Sequence, residues 1–167
     1  MWMKKRITEK DFLIFLDVDG VLNTFSSFNT KYEVCEENVI LLGQLADRLS
    51  GHGYLPKIVL TSTWRLGFDK DYEKCSPQIQ RLISKLAVYN LQIFDKTPIY
   101  NGKTRDMEVS RFIKGYQLEK SDFDYIILDD DDSIFDKEAL KKLNFYKVNQ
   151  NMGLSRTDID KIVKMFV

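Results

Sequence analysis

Apolar positions along the chain fall into two alternating patterns. Short runs, Phe12-Leu13-Ile14-Phe15-Leu16, Ile58-Val59-Leu60 and Tyr125-Ile126-Ile127-Leu128, have the length and continuity of strands buried on both faces, and Leu91 to Phe94 and Phe145 to Val148, each interrupted by one polar residue, read as further strands. Between them apolar residues recur at helical spacing. Leu41, Leu42, Leu45 and Leu49 form one stripe within residues 36 to 50, ended by Gly51 and Gly53, and Ile79, Leu82, Ile83 and Leu86 form another after Ser76-Pro77. Val109, Phe112 and Ile113 follow Thr104, a candidate cap, and Ile159, Ile162, Val163 and Phe166 follow Ser155-x-x-Asp158. The start signals have mechanisms: a Ser cap with Pro at the first helical position, and a capping box. Asp136 opens one further short helix.

Strand followed by helix, repeated about five times, predicts an α/β fold with a doubly wound parallel sheet covered by helices on both faces. No repeat, low-complexity tract or linker divides the chain, so residues 1–167 read as a single domain. Ligands of such folds bind beyond the carboxyl ends of the strands. The chemistry should therefore lie directly after the apolar runs.

Three of those ends stand out. Asp17-Val18-Asp19-Gly20 follows the first strand, Thr61-Ser62-Thr63-Trp64-Arg65 the second, and Asp129-Asp130-Asp131-Asp132 the Tyr125 strand. Carboxylates delivered from two strands to one sheet edge repel one another unless a cation sits among them, and a hard divalent ion with oxygen ligands, Mg²⁺, fits that donor set. Calcium-loop spacing is absent. An EF-hand needs Gly at its sixth and an acid at its twelfth position, where counting from Asp129 gives Ile134 and Leu140, and counting from Asp17 gives Leu22 and Phe28.

Composition narrows the chemistry further. The 167 residues are 44% hydrophobic and 13% aromatic, enough for a sizeable core, and 25 Lys and Arg balance 25 Asp and Glu. Zero net charge argues against a generally basic nucleic-acid surface or a polybasic membrane anchor. His52 is the one histidine, which excludes multi-histidine zinc sites within the chain, and Cys35 and Cys75 form no C-x-x-C motif, as expected of reduced thiols in a cytoplasmic protein. The basic start, Met1 to Arg6, precedes an apolar run too short for a signal-peptide core or a membrane span. A cytoplasmic protein with no membrane association and no obligate protein partner is the expectation.

Phe15-Leu16-Asp17-Val18-Asp19-Gly20-Val21-Leu22, then Val59-Leu60-Thr61-Ser62, then a basic residue before a helix, then Ile127-Leu128-Asp129-Asp130 resemble, in order, the four motifs of the haloacid dehalogenase (HAD) superfamily. Asp-Val-Asp-Gly-Val-Leu-Asn, with Ser-Thr-Trp-Arg after the second strand, is most similar to the phosphatase-like HAD domains associated with RNA-repair proteins. The resemblance implies a HAD-like Rossmannoid core and a Mg²⁺-dependent phosphatase that hydrolyses a phosphate monoester through an aspartyl-phosphate. It makes Asp17 the nucleophile, a carboxylate needing no base to activate it, and Asp19 the acid and base for leaving group and water. Gly20 permits the tight turn between them. The family's phosphatases keep this second Asp, whereas members acting on carbon–halogen or carbon–phosphorus bonds generally lack it.

By the same resemblance, Thr61 or Ser62 hydrogen-bonds a phosphoryl oxygen, and Lys103 or Arg105 offsets charge on the aspartyl-phosphate, with Arg105 favoured by its spacing to the apolar helix positions. Mg²⁺ is held by the Asp17 side chain, the Asp19 backbone carbonyl and a fourth-motif carboxylate, Asp130 ahead of Asp129. Asp131 and Asp132 are either outer-sphere ligands or solvated loop charges. The gaps at residues 23–36 and 66–102 leave no room for a separate cap domain, and capless relatives act on large substrates such as nucleic-acid ends. Trp64 and Arg65 are then expected to stack on a base and pair with a phosphate, with Phe25, Phe28, Tyr32 and Tyr100 either adding aromatic surface or packing in the core. Two other readings stand beside an RNA or DNA end phosphate: a small sugar or nucleotide phosphate as substrate, or a catalytically silent or phosphoacceptor signalling domain. Receivers carry their acidic pair at the first strand, the accepting Asp near the middle and the hydroxyl residue after it. The order here is Asp-x-Asp, hydroxyl, acidic cluster.

Overall fold

Six consecutive buried residues, Asp11–Leu16, form β1, the central strand of the sheet. The computed structural model describes residues 11–24, 33–118 and 122–167. Following β1 are α1 (Glu36–Gly51), β2 (Leu55–Leu60), two short 3₁₀ turns (Thr63–Gly67 and Tyr72–Lys74), α2 (Pro77–Ala87), β3 (Ile93–Lys96) and α3 (Arg105–Gly115). Then come β4 (Asp124–Asp129), a 3₁₀ turn (Asp132–Ile134), α4 (Lys137–Leu140), β5 (Phe145–Lys147) and α5 (Arg156–Phe166). The described strands pair in the order β3-β2-β1-β4-β5, every pair parallel. This is the doubly wound α/β architecture that the strand–helix alternation predicts.

Side chains alternate across a strand, so a continuous apolar run must serve two cores. Phe12, Ile14 and Leu16 join the cluster filled by α1, α2 and α5, through Leu42, Leu45, Ile79, Leu82, Ile159 and Ile162. Leu13 and Phe15 join the opposite cluster with Val109 and Phe112 of α3, Ile127 and Phe135. Phe12 meets Tyr54 and Phe166 edge-on at centroid distances of 5.2 and 4.8 Å, and Phe15 meets Phe112 at 5.6 Å. Each such burial contributes about 1.5–3 kcal/mol, so both faces of β1 are firmly seated.

Local signals hold where both partners are near in sequence. Ser76 accepts from the Ile79 amide, and Ser155 and Asp158 complete the capping box. Thr104 occupies the N-cap of α3 with extended backbone angles, yet its side chain makes no capping bond. β3 starts at Ile93, later than the apolar run at Leu91, and extends through Asp95 and Lys96. It is an edge strand paired only with β2, so half its surface tolerates charge. No described helix is long and apolar enough to cross a membrane.

Register decides what stands at the carboxyl edge. Leu16 aligns with Leu60 on one side and with Leu128 on the other. The ladders continue one step further, with the Asp17 amide donating to the Leu128 carbonyl at 2.9 Å and the Thr61 amide to Leu16 at 3.0 Å. Asp17, Thr61 and Asp129 therefore sit level on three adjacent strands. His52 lies at the other edge, capping α1 just before β2 begins.

Candidate active site

Asp17, Asp129 and Asp130 each bring a carboxylate oxygen to within 4.8 Å of the other two. The Arg105 guanidinium reaches in from the first residue of α3, 3.3 Å from Asp17 Oδ1 and 2.9 Å from Asp129 Oδ2. When all three are ionised, three carboxylates against one guanidinium leave two negative charges uncompensated in a largely buried site. Burial, reinforced by Asp129, pushes the Asp17 carboxyl up to about 8, although Arg105 opposes the shift. Burial likewise raises Asp129 to about 6 against the pull of Arg105, and raises Asp130. All-oxygen donors, mutual repulsion and a surplus of two charges fit a hard divalent cation. Both fourth-motif candidates, Asp130 and Asp129, belong to this cluster with Asp17.

Asp130 can come this close because of Gly20. Gly20 has φ +80, and a Cβ built there would lie 2.4 Å from Asp130 Oδ2 and 2.5 Å from its Cγ. Gly20→Ala would strain the turn and push Asp130 out of the cluster. We expect Mg²⁺ binding, followed by thermal-shift titration, to weaken about tenfold or more in that variant. An unchanged titration would remove Asp130 from the ligand set.

The second strand end separates two hydroxyls that the sequence left open. Thr61 is 0% exposed, and its Oγ1 has no hydrogen-bond partner among the described residues. Ser62 is committed: its Oγ accepts from the Trp64 amide at 3.2 Å and caps the first 3₁₀ turn. Of the two hydroxyls, the one left without a partner among the described residues is thus that of Thr61.

Trp64 and Arg65 do not stand where a stacking platform and phosphate partner were expected. Trp64 is 7% exposed, and its Nε1 donates to Asp19 Oδ1 and Oδ2, both at 3.2 Å. Arg65 is 4% exposed and donates to Glu108 Oε2 at 2.8 Å and to the carbonyl of Thr61. Burial turns both inward. Trp64 serves Asp19, and Arg65 ties the loop after β2 to α3, the helix that carries Arg105.

The other assignments sort by contact. Lys103 is exposed and makes no side-chain contact among those described, whereas Arg105 is at the carboxylates. Asp131 caps the turn after β4 by accepting from the Ser133 amide, and Asp132 pairs with Lys147 at 2.8 Å. Tyr100 lies on the surface under the Arg111 guanidinium, 5.4 Å from its centroid. Phe25, Phe28 and Tyr32 lie outside the described residues. Sequence reasoning gave Asn23 and Glu108 no role. Asn23 donates to Asp19 Oδ1 at 2.9 Å and accepts from the Gly20 amide, while Glu108 is the buried partner of Arg65. The signal for Asn23 was its place four residues after Asp19, and that for Glu108 its place one turn after Arg105 on the same helix face.

Asp17, Asp19, Gly20, Thr63, Arg105 and the acidic loop line a cleft of about 380 Å³. A family model described as "HAD domain in Swiss Army Knife RNA repair proteins" matches residues 13–159. No curated protein and no solved structure matches the chain.

Proposed function

Because the chain belongs to the family of HAD domains in Swiss Army Knife RNA repair proteins, we propose that it is a Mg²⁺-dependent phosphatase acting on a phosphate monoester, with an RNA or DNA end phosphate as substrate class. Phosphatase-type hydrolysis is the activity that the family suggests. The observation that carries the reading is the level placement of Asp17, Thr61 and Asp129 on adjacent strands, with Arg105 bridging the two carboxylates.

A carboxylate oxygen of Asp17 attacks phosphorus, forming a P–O bond as the ester P–O bond breaks. Asp19, in its acid form, hands its proton to the departing alkoxide. It then takes a proton from water as that water attacks the aspartyl-phosphate, which releases inorganic phosphate and restores the Asp17 carboxylate. Thr61 donates its free hydroxyl to a phosphoryl oxygen, and Arg105 balances charge as it moves from nucleophile to phosphoryl group. Asp17, Asp129, Asp130 and the Asp19 carbonyl would hold Mg²⁺, which when bound neutralises the carboxylates and the phosphoryl oxygens. No histidine enters any step.

Room for a large leaving group supports the nucleic-acid end. The catalytic cleft shares Asp130 and Asp131 with a polar groove of about 730 Å³ lined also by Lys147, Asn149, Gln150 and Asn151. Its amide donors and acceptors suit sugars and base edges. Phosphate release from a 3′-phosphorylated oligonucleotide, an aryl phosphate and a sugar phosphate, each with and without Mg²⁺, tests the proposal. We expect metal-dependent release, fastest from the oligonucleotide. Faster release from the small esters would transfer the reading to a small-molecule phosphatase, and none from any ester would leave a binding domain.

A further inference from the structure

Resting on that reading, we propose that Trp64 and Asn23 are positioning residues that fix the Asp19 carboxylate for proton transfer to the leaving group. Two elements distant in sequence converge on this one side chain. The Trp64 indole N–H spans both Asp19 oxygens at 3.2 Å from the loop after β2, and Asn23 Nδ2 holds Oδ1 at 2.9 Å from the turn after β1. Asn23 is itself anchored, since its Oδ1 accepts from the Gly20 amide at 2.9 Å. Trp64 and Asn23 are both buried, so neither donor is free to swing into solvent.

The consequence is a division between carboxylates. Asp17, Asp129 and Asp130 converge on one another, while the Asp19 side chain is held by uncharged donors outside that group. Among the described residues Oδ1 accepts from both Asn23 and Trp64, whereas Oδ2 accepts from Trp64 alone. An aspartate free to rotate would be drawn toward a cation bound at the cluster and lost to acid catalysis. Trp64 and Asn23 prevent that rotation. The stacking surface anticipated at Trp64 is thereby replaced by a role in the chemistry, exerted through Asp19.

Leaving-group dependence separates this role from a purely structural one. Trp64→Phe retains the ring and deletes the N–H. Across phosphate esters of rising leaving-group pKa, we expect kcat/KM to fall about tenfold or more for alkyl esters, which need a proton at the departing oxygen, and no more than about twofold for a nitrophenyl ester, which does not. On an Asp19→Ala background Trp64→Phe should cause no additional loss with alkyl esters. An equal loss across the series, or a further loss on that background, would overturn the proposal.

A second readout does not depend on turnover. Trp2 and Trp64 are the two tryptophans, so the Trp64 indole N–H resonance is identified by its disappearance in Trp64→Phe. It should move upfield in Asp19→Ala as its acceptor vanishes, and an unmoved resonance would refute the contact. Lack of turnover in the parent on every ester would refute the phosphatase reading, and with it the catalytic role, whereas a shifted indole would still register the hydrogen bond. The two failures are thus distinguishable.

Discussion

Asp17→Asn is expected to lower kcat by about a thousandfold or more while making the metal-free protein more stable near neutral pH. The activity loss follows from removing the proposed nucleophile without altering its shape. The stability gain follows from linkage. Asp17 is pushed up to about 8 in the fold, from the 3.8 of an ordinary aspartate, chiefly because it is buried and faces Asp129. Between those values Asp17 in the folded state retains a proton that the unfolded chain has released, so its contribution to stability falls as pH rises from about 4 toward 8. Asn carries no such penalty, and its amide can still face Arg105, which keeps Asp129 at 2.9 Å. Mg²⁺ takes the ionised form, so the thermal shift it produces in the parent should grow from pH 6 to pH 8 and be largely lost in the variant. Melting curves at both pH values, with and without Mg²⁺, are the measurement. A less stable metal-free variant at pH 8, or one that retains turnover, would displace Asp17 from the centre of the cluster.

The largest loss of stability is expected at Arg65. Its guanidinium and the Glu108 carboxylate are only 5% and 7% exposed and lie 2.8 Å apart. Arg65→Met would strand Glu108 as a buried unpaired charge, at a cost of about 3–5 kcal/mol, or roughly 10 °C in melting temperature for a domain of this size. Turnover should fall as well, because Arg65 also holds the Thr61 carbonyl and links the second strand end to the helix bearing Arg105. Arg65→Met combined with Glu108→Leu removes both charges and should recover most of the lost stability, since a well-packed apolar pair often equals a buried ion pair. A single variant melting within about 2 °C of the parent would show that solvent reaches the pair.

What the sequence made legible was set by distance along the chain. The Asp17-to-Gly20 turn and the Ser155–Asp158 capping box lie within a few residues, where one conformation satisfies both partners. The roles of Trp64 and Arg65 are hidden in the sequence because their partners, Asp19 and Glu108, are 45 and 43 residues away, and only the sheet order brings them together. Composition alone makes an indole beside a guanidinium at a strand end look like a ligand-binding surface. The choice between Thr61 and Ser62 needed the β1–β2 register, since a one-residue shift exchanges the two faces of a strand. Arg105 and Lys103 differ only in where α3 begins, a boundary that Thr104 marks without a capping bond. β3 was blurred because an edge strand lacks the apolar run that identifies a central one.

The unpartnered hydroxyl of Thr61 has a thermodynamic corollary. A buried donor without an acceptor weakens the resting fold by about 1–3 kcal/mol relative to an apolar residue of the same shape. That cost is incurred once, during folding, so under the proposed phosphatase chemistry a phosphoryl oxygen arriving at the strand end would meet a donor already stripped of solvent. Ground-state instability at one hydroxyl thereby becomes readiness toward an anion. If Thr61 holds a phosphoryl oxygen as proposed, position 61 is where durability of the fold and affinity for a phosphate ester pull in opposite directions.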